Sequence, residues 1–322
     1  MEELKLIDYK VSVIVPVYND KRGIKKCLKS LLDQDYNKDF YEIIIGDNGS
    51  TDGTKEFLKK FPVKLLEENE IQSSYAARNK GIKHSKNEIL CFTDSDVIVD
   101  KNWIKNGVKS LIKLKNEGQK GVVFGKICLI GDPFQNIYTL YDYATGFRNL
   151  LATNNIFTYK DIFKKVGYFN HRLISGGDSE WGERVLNNGF VIEKVDDVII
   201  YHPLRNSFRS HYRKKIRIGY GKGQTGYKHY GKRIRTGDRK EQIIKSNYGD
   251  SFQIFQILKV LLNRLRIQIQ LIIFAFNLVR KAKQKNITIL KYLIIYIPMV
   301  LFFCILIVYG TFLQKVGKIF KR

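Results

Sequence analysis

The sequence predicts an α/β fold: a Rossmann-like, mainly parallel mixed sheet with flanking helices, followed by C-terminal helices associated with a membrane. Three observations predict it. Through the first hundred residues, apolar runs of strand length alternate with segments of helical periodicity. Two of those runs end in dense acidic turns, Asp47-Asn48-Gly49-Ser50-Thr51-Asp52-Gly53 and Asp94-Ser95-Asp96. Nearly all of the excess positive charge lies in the last third of the chain.

Val11 to Val17 (VSVIVPV) reads as a buried first strand. From Gly23 to Leu32, the residues Ile24, Cys27, Leu28, Leu31 and Leu32 recur at helical spacing and form one face to cover the sheet. Tyr41 to Gly46 is a second strand, and the acidic turn after it leads to a helix through Phe57 and Leu58. Val63 to Leu66 is a short third strand. Ser73 or Ser74 caps a helix through Ala76, Ala77, Asn79 and Ile82, and Glu88 to Thr93 is the next strand. Further on, Gly121 to Ile130 and Asn154 to Tyr159 read as strands and Asp161 to Val166 as a brief helix. A turn, Ser175-Gly176-Gly177-Asp178, opens a helix through Glu180, Trp181, Arg184 and Leu186. In open α/β sheets ligands sit outside the carboxyl ends of the parallel strands, so the two acidic turns are expected to face one crevice.

The chain has 322 residues and a formal net charge of +25. Residues 1–200 carry 30 Lys and Arg against 28 Asp and Glu, whereas 201–322 carry 26 against 3. The charge therefore marks a separate zone and does not turn the whole molecule into a nucleic-acid binder. The first ten residues, MEELKLIDYK, lack the basic, apolar, small-residue order of a secretory signal, and the bulk of the chain is expected to remain in the cytoplasm. Cys27, Cys91, Cys128 and Cys304 form no C-x-x-C pair and read as reduced core thiols.

Five segments in order carry a resemblance: V-S-V-I-V-P-V-Y-N (11–19), G-D-N-G-S-T-D-G-T (46–54), A-A-R-N-K-G-I (76–82), T-D-S-D-V-I-V-D (93–100) and G-G-D-S-E-W-G-E-R (176–184). Together they resemble the family 2 glycosyltransferases, whose fold is named GT-A, over roughly residues 9–220. The resemblance implies transfer of a sugar from a nucleotide donor with help from Mn2+ or Mg2+. It implies that Pro16, Tyr18 and Asp20 border the nucleoside, that Asp47 bonds the base, and that Arg78 lines the nucleotide site. The usual second acid after Asp47 is replaced here by Asn48.

Asp94-Ser95-Asp96 matches the family's D-x-D element. Asp96 is expected to ligate the metal directly, with Asp94 nearer the ribose or a metal-bound water, because a divalent ion held by carboxylates and phosphates neutralises a departing diphosphate. The bland alternative is an acidic turn that caps the next helix. Asp178 matches the family's general base, although Gly177 stands where the family usually has an acid; the alternatives are that Asp178 is an N-cap or that Glu180 is the base. Trp181 fits either a stacking wall for a sugar or a core aromatic. His202, after a strand, fits a further metal ligand, a phosphate contact or a structural histidine.

The last third suggests a bilayer. Tyr292 to Leu313 is 22 residues without a charge, enough at about 1.5 Å per residue to cross a hydrocarbon core of about 30 Å. Phe252 to Val279 is interrupted by Lys259, Arg264 and Arg266 and suits an in-plane helix. Basic residues among tyrosines in 201–250 suit anionic lipids, and nucleic acid is the lesser alternative. Gly221-Lys222-Gly223-Gln224-Thr225-Gly226 satisfies G-x-G-x-x-G but follows a basic helix where a dinucleotide site requires a strand. The expected organisation is a catalytic domain at 1–220, a basic linker at 221–250 and a membrane-associated region at 251–322.

The functional expectation is an inverting, metal-dependent glycosyltransferase on the cytoplasmic face of a membrane. Its acceptor is a lipid-linked glycan or growing polysaccharide. Alternatives are transfer to a polyprenyl phosphate, which needs no general base, and a non-catalytic basic protein that binds polymers on a transferase core. The loop from Gly131 to Leu151 is expected to shape part of the choice of sugar, acceptor and linkage.

Overall fold

The computed structural model describes residues 9–145 and 151–225. The chain divides into two compact units, one formed by 1–130, 147–203 and 225–239, the other by 131–146, 204–224 and 240–322. The expected spans at 251–322, Tyr292 to Leu313 included, lie outside the described residues, as does the linker beyond 225. Among the described residues no helix is long and apolar enough to cross a membrane.

The first unit holds one sheet of eight strands in the order β3-β2-β1-β4-β7-β6-β8-β5. The strands are β1 (Val11–Val17), β2 (Tyr41–Asp47), β3 (Lys64–Glu67), β4 (Ile89–Phe92), β5 (Ile98–Val99), β6 (Gly121–Ile130), β7 (Ile156–Tyr159) and β8 (Val191–Pro203). β1 pairs in parallel with both β2 and β4, and β2 with β3, as the alternation of strand and helix predicts. β7 runs antiparallel to β4 and β6, β8 runs parallel to β6, and β5 runs antiparallel to β8, so the sheet is mixed. All seven residues of β1 are buried, as expected of a central strand covered on both faces.

Helix α1 (Lys21–Leu32) begins where the Asp20 carboxylate accepts from the Gly23 N–H at 2.9 Å. It buries Ile24, Cys27, Leu28 and Leu31, each apolar chain contributing about 1.5–3 kcal/mol. The short α2 (Thr54–Leu58) follows the first acidic turn. Helix α3 (Ser74–His84), capped by Ser73, packs on β1 and β2. Its approach is close: a Cβ on Gly81 would lie 2.6 Å from Ile14, and one on Gly46 would lie 2.8 Å from the Ala77 carbonyl. Helix α4 (Trp103–Asn116), not foreseen from the sequence, covers β6, β7 and β8 through Trp103, Ile104, Val108 and Leu111. Helices α6 (Lys160–Val166) and α7 (Gly177–Asn187) complete this unit.

In the second unit the described elements are α5 (Ile137–Thr145) and α8 (Phe208–Thr225). The segment expected to be a loop is therefore in part a helix: Tyr141 and Asp142 are buried in a stretch whose tyrosines and threonines mask its period. α8 continues through Gly221, Lys222 and Gly223, all buried, so the glycine pattern there belongs to a helix interior and not to a phosphate loop.

Candidate active site

β1 and β4 lie side by side, yet the chain leaves β1 for β2 on one flank and reaches β4 on the other. Such a switch in direction opens a crevice at the carboxyl ends of the strands. Both acidic turns fall there. Val17 pairs with Asp47 at the ends of β1 and β2, and Asp94 follows β4 by two residues.

The first turn is a rigid frame. Asp47 is fully enclosed and its carboxylate accepts from the Ser50 N–H at 2.8 Å. Asn19, at φ +47, accepts from the Thr51 N–H at 2.7 Å while its own N–H donates to Ser50 Oγ. Asn48, in the place of the usual second acid, donates through Nδ2 to the carbonyls of Glu68 and Ile71 at 3.0 and 2.8 Å. A carboxylate could not do this, since it only accepts; the amide straps the 68–71 loop to the site. Pro16 is buried in β1, whereas Tyr18 is half-exposed at the mouth.

The second turn gathers charge. Ser95 Oγ donates to Asp20 Oδ2 at 2.8 Å, and Asp94 pairs with Arg78, whose side chain is almost wholly buried. Arg78 Nε is buried with no hydrogen-bond partner, a donor facing no acceptor in the protein. Burial raises the Cys27 thiol pKa far above its ordinary value, and Asp94, Asp96 and Asp20 push it further.

Asp96 meets His202 because β5, only two residues long, sets Ile98 opposite Tyr201 on β8. His202 Nε2 lies 3.6 Å from Asp96 Oδ2, and Nδ1 lies 2.7 Å from the Pro203 carbonyl oxygen. A carbonyl only accepts, so Nδ1 donates there and Nε2 is the ring nitrogen turned toward the carboxylate. Among the described residues no three His, Cys, Asp or Glu form a group that could hold a metal. The pair nevertheless fits Mn2+ or Mg2+, which one or two protein donors hold when phosphates and water fill the remaining positions.

Asp178 stands in the first turn of α7. It is not the N-cap: that position is Gly176, at φ +85. The carboxylate instead accepts from Tyr75 Oη at 2.8 Å and from the Thr153 N–H at 3.3 Å. Glu180 is committed to Arg184, with Nε–Oε1 at 2.7 Å and Nη2–Oε2 at 3.0 Å, while Arg184 also donates to the carbonyls of Val166 and Tyr168. Glu180 thus serves as a brace within α7. Trp181 is completely buried, stacked on Phe163 at 4.6 Å, with Nε1 donating to the Gly167 carbonyl at 3.1 Å. The sugar-wall alternative for Trp181 is therefore withdrawn, because a ring with no exposed area has no face to offer a sugar.

Sequence reasoning missed Tyr75 and Thr153. Each lies beside a recognisable segment, but no local signal ties position 75 to position 178.

The frame, the carboxylates and the helix-borne Asp178 belong to an α/β unit whose acidic turns lie at the switch point of its sheet. Residues 12–170 match the model of Glycosyl transferase family 2. Glycosyltransferase AglE of Haloferax volcanii is 37% identical over 226 residues, 67% of this chain and 73% of that protein. The chain thus belongs to the family 2 glycosyltransferases, enzymes acting on nucleotide sugars. A dolichyl N-acetyl-alpha-D-glucosaminyl phosphate 3-beta-D-2,3-diacetamido-2,3-dideoxy-beta-D-glucuronosyltransferase of Methanococcus voltae is 24% identical over 233 residues, 66% of this chain and 73% of that protein. The mannosyltransferase PcManGT from Pyrobaculum calidifontis, solved with GDP-Man and Mn2+, shares the fold at a TM-score of 0.53 and 23% identity, over 70% of this chain and 66% of that one.

Proposed function

We propose that the protein is an inverting, metal-dependent glycosyltransferase that moves a sugar from a nucleotide-diphosphate donor to a hydroxyl of a lipid-linked glycan or growing polysaccharide at the cytoplasmic face of a membrane. The observation that carries the reading is the placement of Asp178. Its carboxylate is held by Tyr75, on the same helix as the Arg78 that pairs with Asp94 of the metal and donor end.

Tyr18 and Asp20 border the nucleoside, with the buried Pro16 and Asp47 framing the turn beneath it, and the exposed Tyr18 ring offers a face to a base. Arg78, paired with Asp94, lines the nucleotide site, where a permanent guanidinium charge suits a diphosphate. Asp96 and His202 would hold the divalent ion, with Asp94 and Ser95 beside them. That ion, when bound, would supply charge neutralisation on the departing diphosphate. Asp178 takes the proton of the acceptor hydroxyl as its oxygen bonds to the anomeric carbon. The bond from that carbon to the diphosphate oxygen breaks on the opposite side, its electron pair leaving with the nucleoside diphosphate.

The Methanococcus voltae relative is named for action on a dolichyl-phosphate-linked sugar, which supports a lipid-linked acceptor and a hydroxyl nucleophile. For the membrane, α8 adds Phe208 and Tyr212, rings 5.9 Å apart and about two-fifths exposed, beside the exposed Arg209 and Arg213. The deciding experiment supplies radiolabelled nucleotide sugars and membrane lipid extract to wild type and Asp178→Asn. Transfer is expected to fall by about 10²–10⁴-fold in the variant. Unimpaired transfer would instead indicate a phosphate acceptor, which needs no base.

A further inference from the structure

Gly177 stands where the family pattern has an acid, and its surroundings account for the substitution. Its N–H donates to Tyr75 Oη at 3.0 Å. A Cβ built on it would lie 2.7 Å from Tyr75 Cζ and 2.9 Å from Cε2. The tyrosine ring therefore fills the space a side chain at 177 would claim, and the two positions depend on each other. Because the Gly177 N–H can only donate, the Tyr75 oxygen accepts there and its own proton is turned to Asp178 Oδ1, 2.8 Å away.

From this geometry we infer that Tyr75 is the positioning residue for Asp178, holding the carboxylate in the place and orientation from which it takes the acceptor's proton. The ring is fixed on three sides. It is rooted in the first turn of α3, lies against Phe169 at 6.0 Å, and carries the Arg78 guanidinium carbon 5.8 Å from its centroid. Tyr75 and Arg78 are three apart on one helix and so share a face. One side of the helix thus sets the distance between the donor end, where Arg78 meets Asp94, and the base. Burial, then the Asp178 charge, raises the Tyr75 hydroxyl well above its ordinary pKa, so it stays a donor throughout the working range. The second carboxylate oxygen accepts from the Thr153 N–H, which fixes the plane as well as the position.

This inference rests on the base role proposed for Asp178, and a double-mutant cycle separates the two. Full-length wild type, Tyr75→Phe, Asp178→Asn and the double variant are assayed with radiolabelled GDP-mannose, UDP-N-acetylglucosamine and UDP-glucose, with membrane lipid extract as acceptor. Melting temperatures confirm folding, since Phe keeps the ring. Tyr75→Phe is expected to lower kcat about 10- to 100-fold with donor KM within twofold of wild type, and to cost less than twofold further in the Asp178→Asn background. A Gly177→Ala variant, whose methyl group displaces the ring, should reproduce the loss. A Tyr75→Phe enzyme with wild-type kcat overturns the positioning role alone. An equal loss in both backgrounds overturns it too, by showing that the hydroxyl acts elsewhere. If Asp178→Asn is as active as wild type, or no donor is turned over, the base role falls and the positioning role falls with it.

Discussion

His202 Nε2 and Asp96 Oδ2 face each other across 3.6 Å, with the histidine oriented by a 2.7 Å contact between Nδ1 and the Pro203 carbonyl oxygen. A backbone carbonyl that fixes the tautomer is how histidine ligands are commonly oriented. His202→Ala is expected to weaken activation by Mn2+ about 10- to 100-fold, and Asp96→Ala to weaken it at least as much. The check is a metal titration of turnover at saturating donor. If half-maximal activation occurs at the same concentration in all three proteins, the pair does not hold the metal.

Trp181 offers a different kind of test, because two readings of one residue make opposite forecasts. As a fully buried ring stacked on Phe163 and tilted against Phe169, its replacement by Ala should cost about 3–5 kcal/mol in stability. Urea unfolding reads the cost directly, and the surviving folded fraction should keep its KM for donor and acceptor. A stable variant with a raised KM would restore the sugar-wall reading.

Asp142, on α5, is almost wholly buried and lies 3.6 Å from both Arg205 Nη1 and Lys214 Nζ. Burial opposes its ionisation, yet Lys214, the Arg205 N–H and the Arg205 guanidinium outweigh burial and hold its pKa below the ordinary value. The stability it contributes is therefore present above the unfolded carboxylate pKa and is lost only as pH falls through that lowered value. Lys214 has the opposite sign: burial, then Arg205, brings it down to about 8 against the pull of Asp142. Its charged form costs stability at neutral pH, and the cost is relieved as pH rises past about 8. Asp142→Asn should thus destabilise the α5–α8 region by about 3–5 kcal/mol at pH 7, and recover part of that at pH 9.5. Hydrogen exchange on α5 and α8 at the two pH values measures it; equal protection in variant and wild type at pH 7 would contradict the account.

What was legible in the sequence follows from how locally each feature is encoded. β1, β2 and α1 stand out because strand burial and helical period are properties of a few consecutive residues, and Asp20, Asp47, Asp94 and Asp96 stand out because they lie at or just beyond the boundaries of such elements. β5 was not legible: two residues carry no period, and Ile98 and Val99 are strand only because β8 lies beside them. α4 begins without a side-chain cap, so only its apolar spacing marks it, and the tyrosines and threonines of α5 mask its period. The site divides the same way. Asp178 could be singled out, but its hydrogen bond to Tyr75 spans 103 positions and exists only once α3 and α7 are packed. Asn48 looked like a lost acid and proved to be an amide whose donors are needed by two carbonyls.

α8 exposes Phe208, Arg209, Tyr212 and Arg213 on adjoining turns, an aromatic and cationic face suited to the headgroup layer of an anionic bilayer. Each basic residue near such a surface contributes about 1 kcal/mol, so Arg209→Glu with Arg213→Glu should weaken binding of the full chain to phosphatidylglycerol vesicles by more than about tenfold. Phe208→Ala with Tyr212→Ala should weaken it as well, with less dependence on salt, because rings bind by burial and not by charge. Vesicle flotation at low and high salt separates the two contributions, and phosphatidylcholine vesicles remove the first. Should both double variants float like wild type, α8 takes no part in attachment, and any anchor lies in residues 226–322.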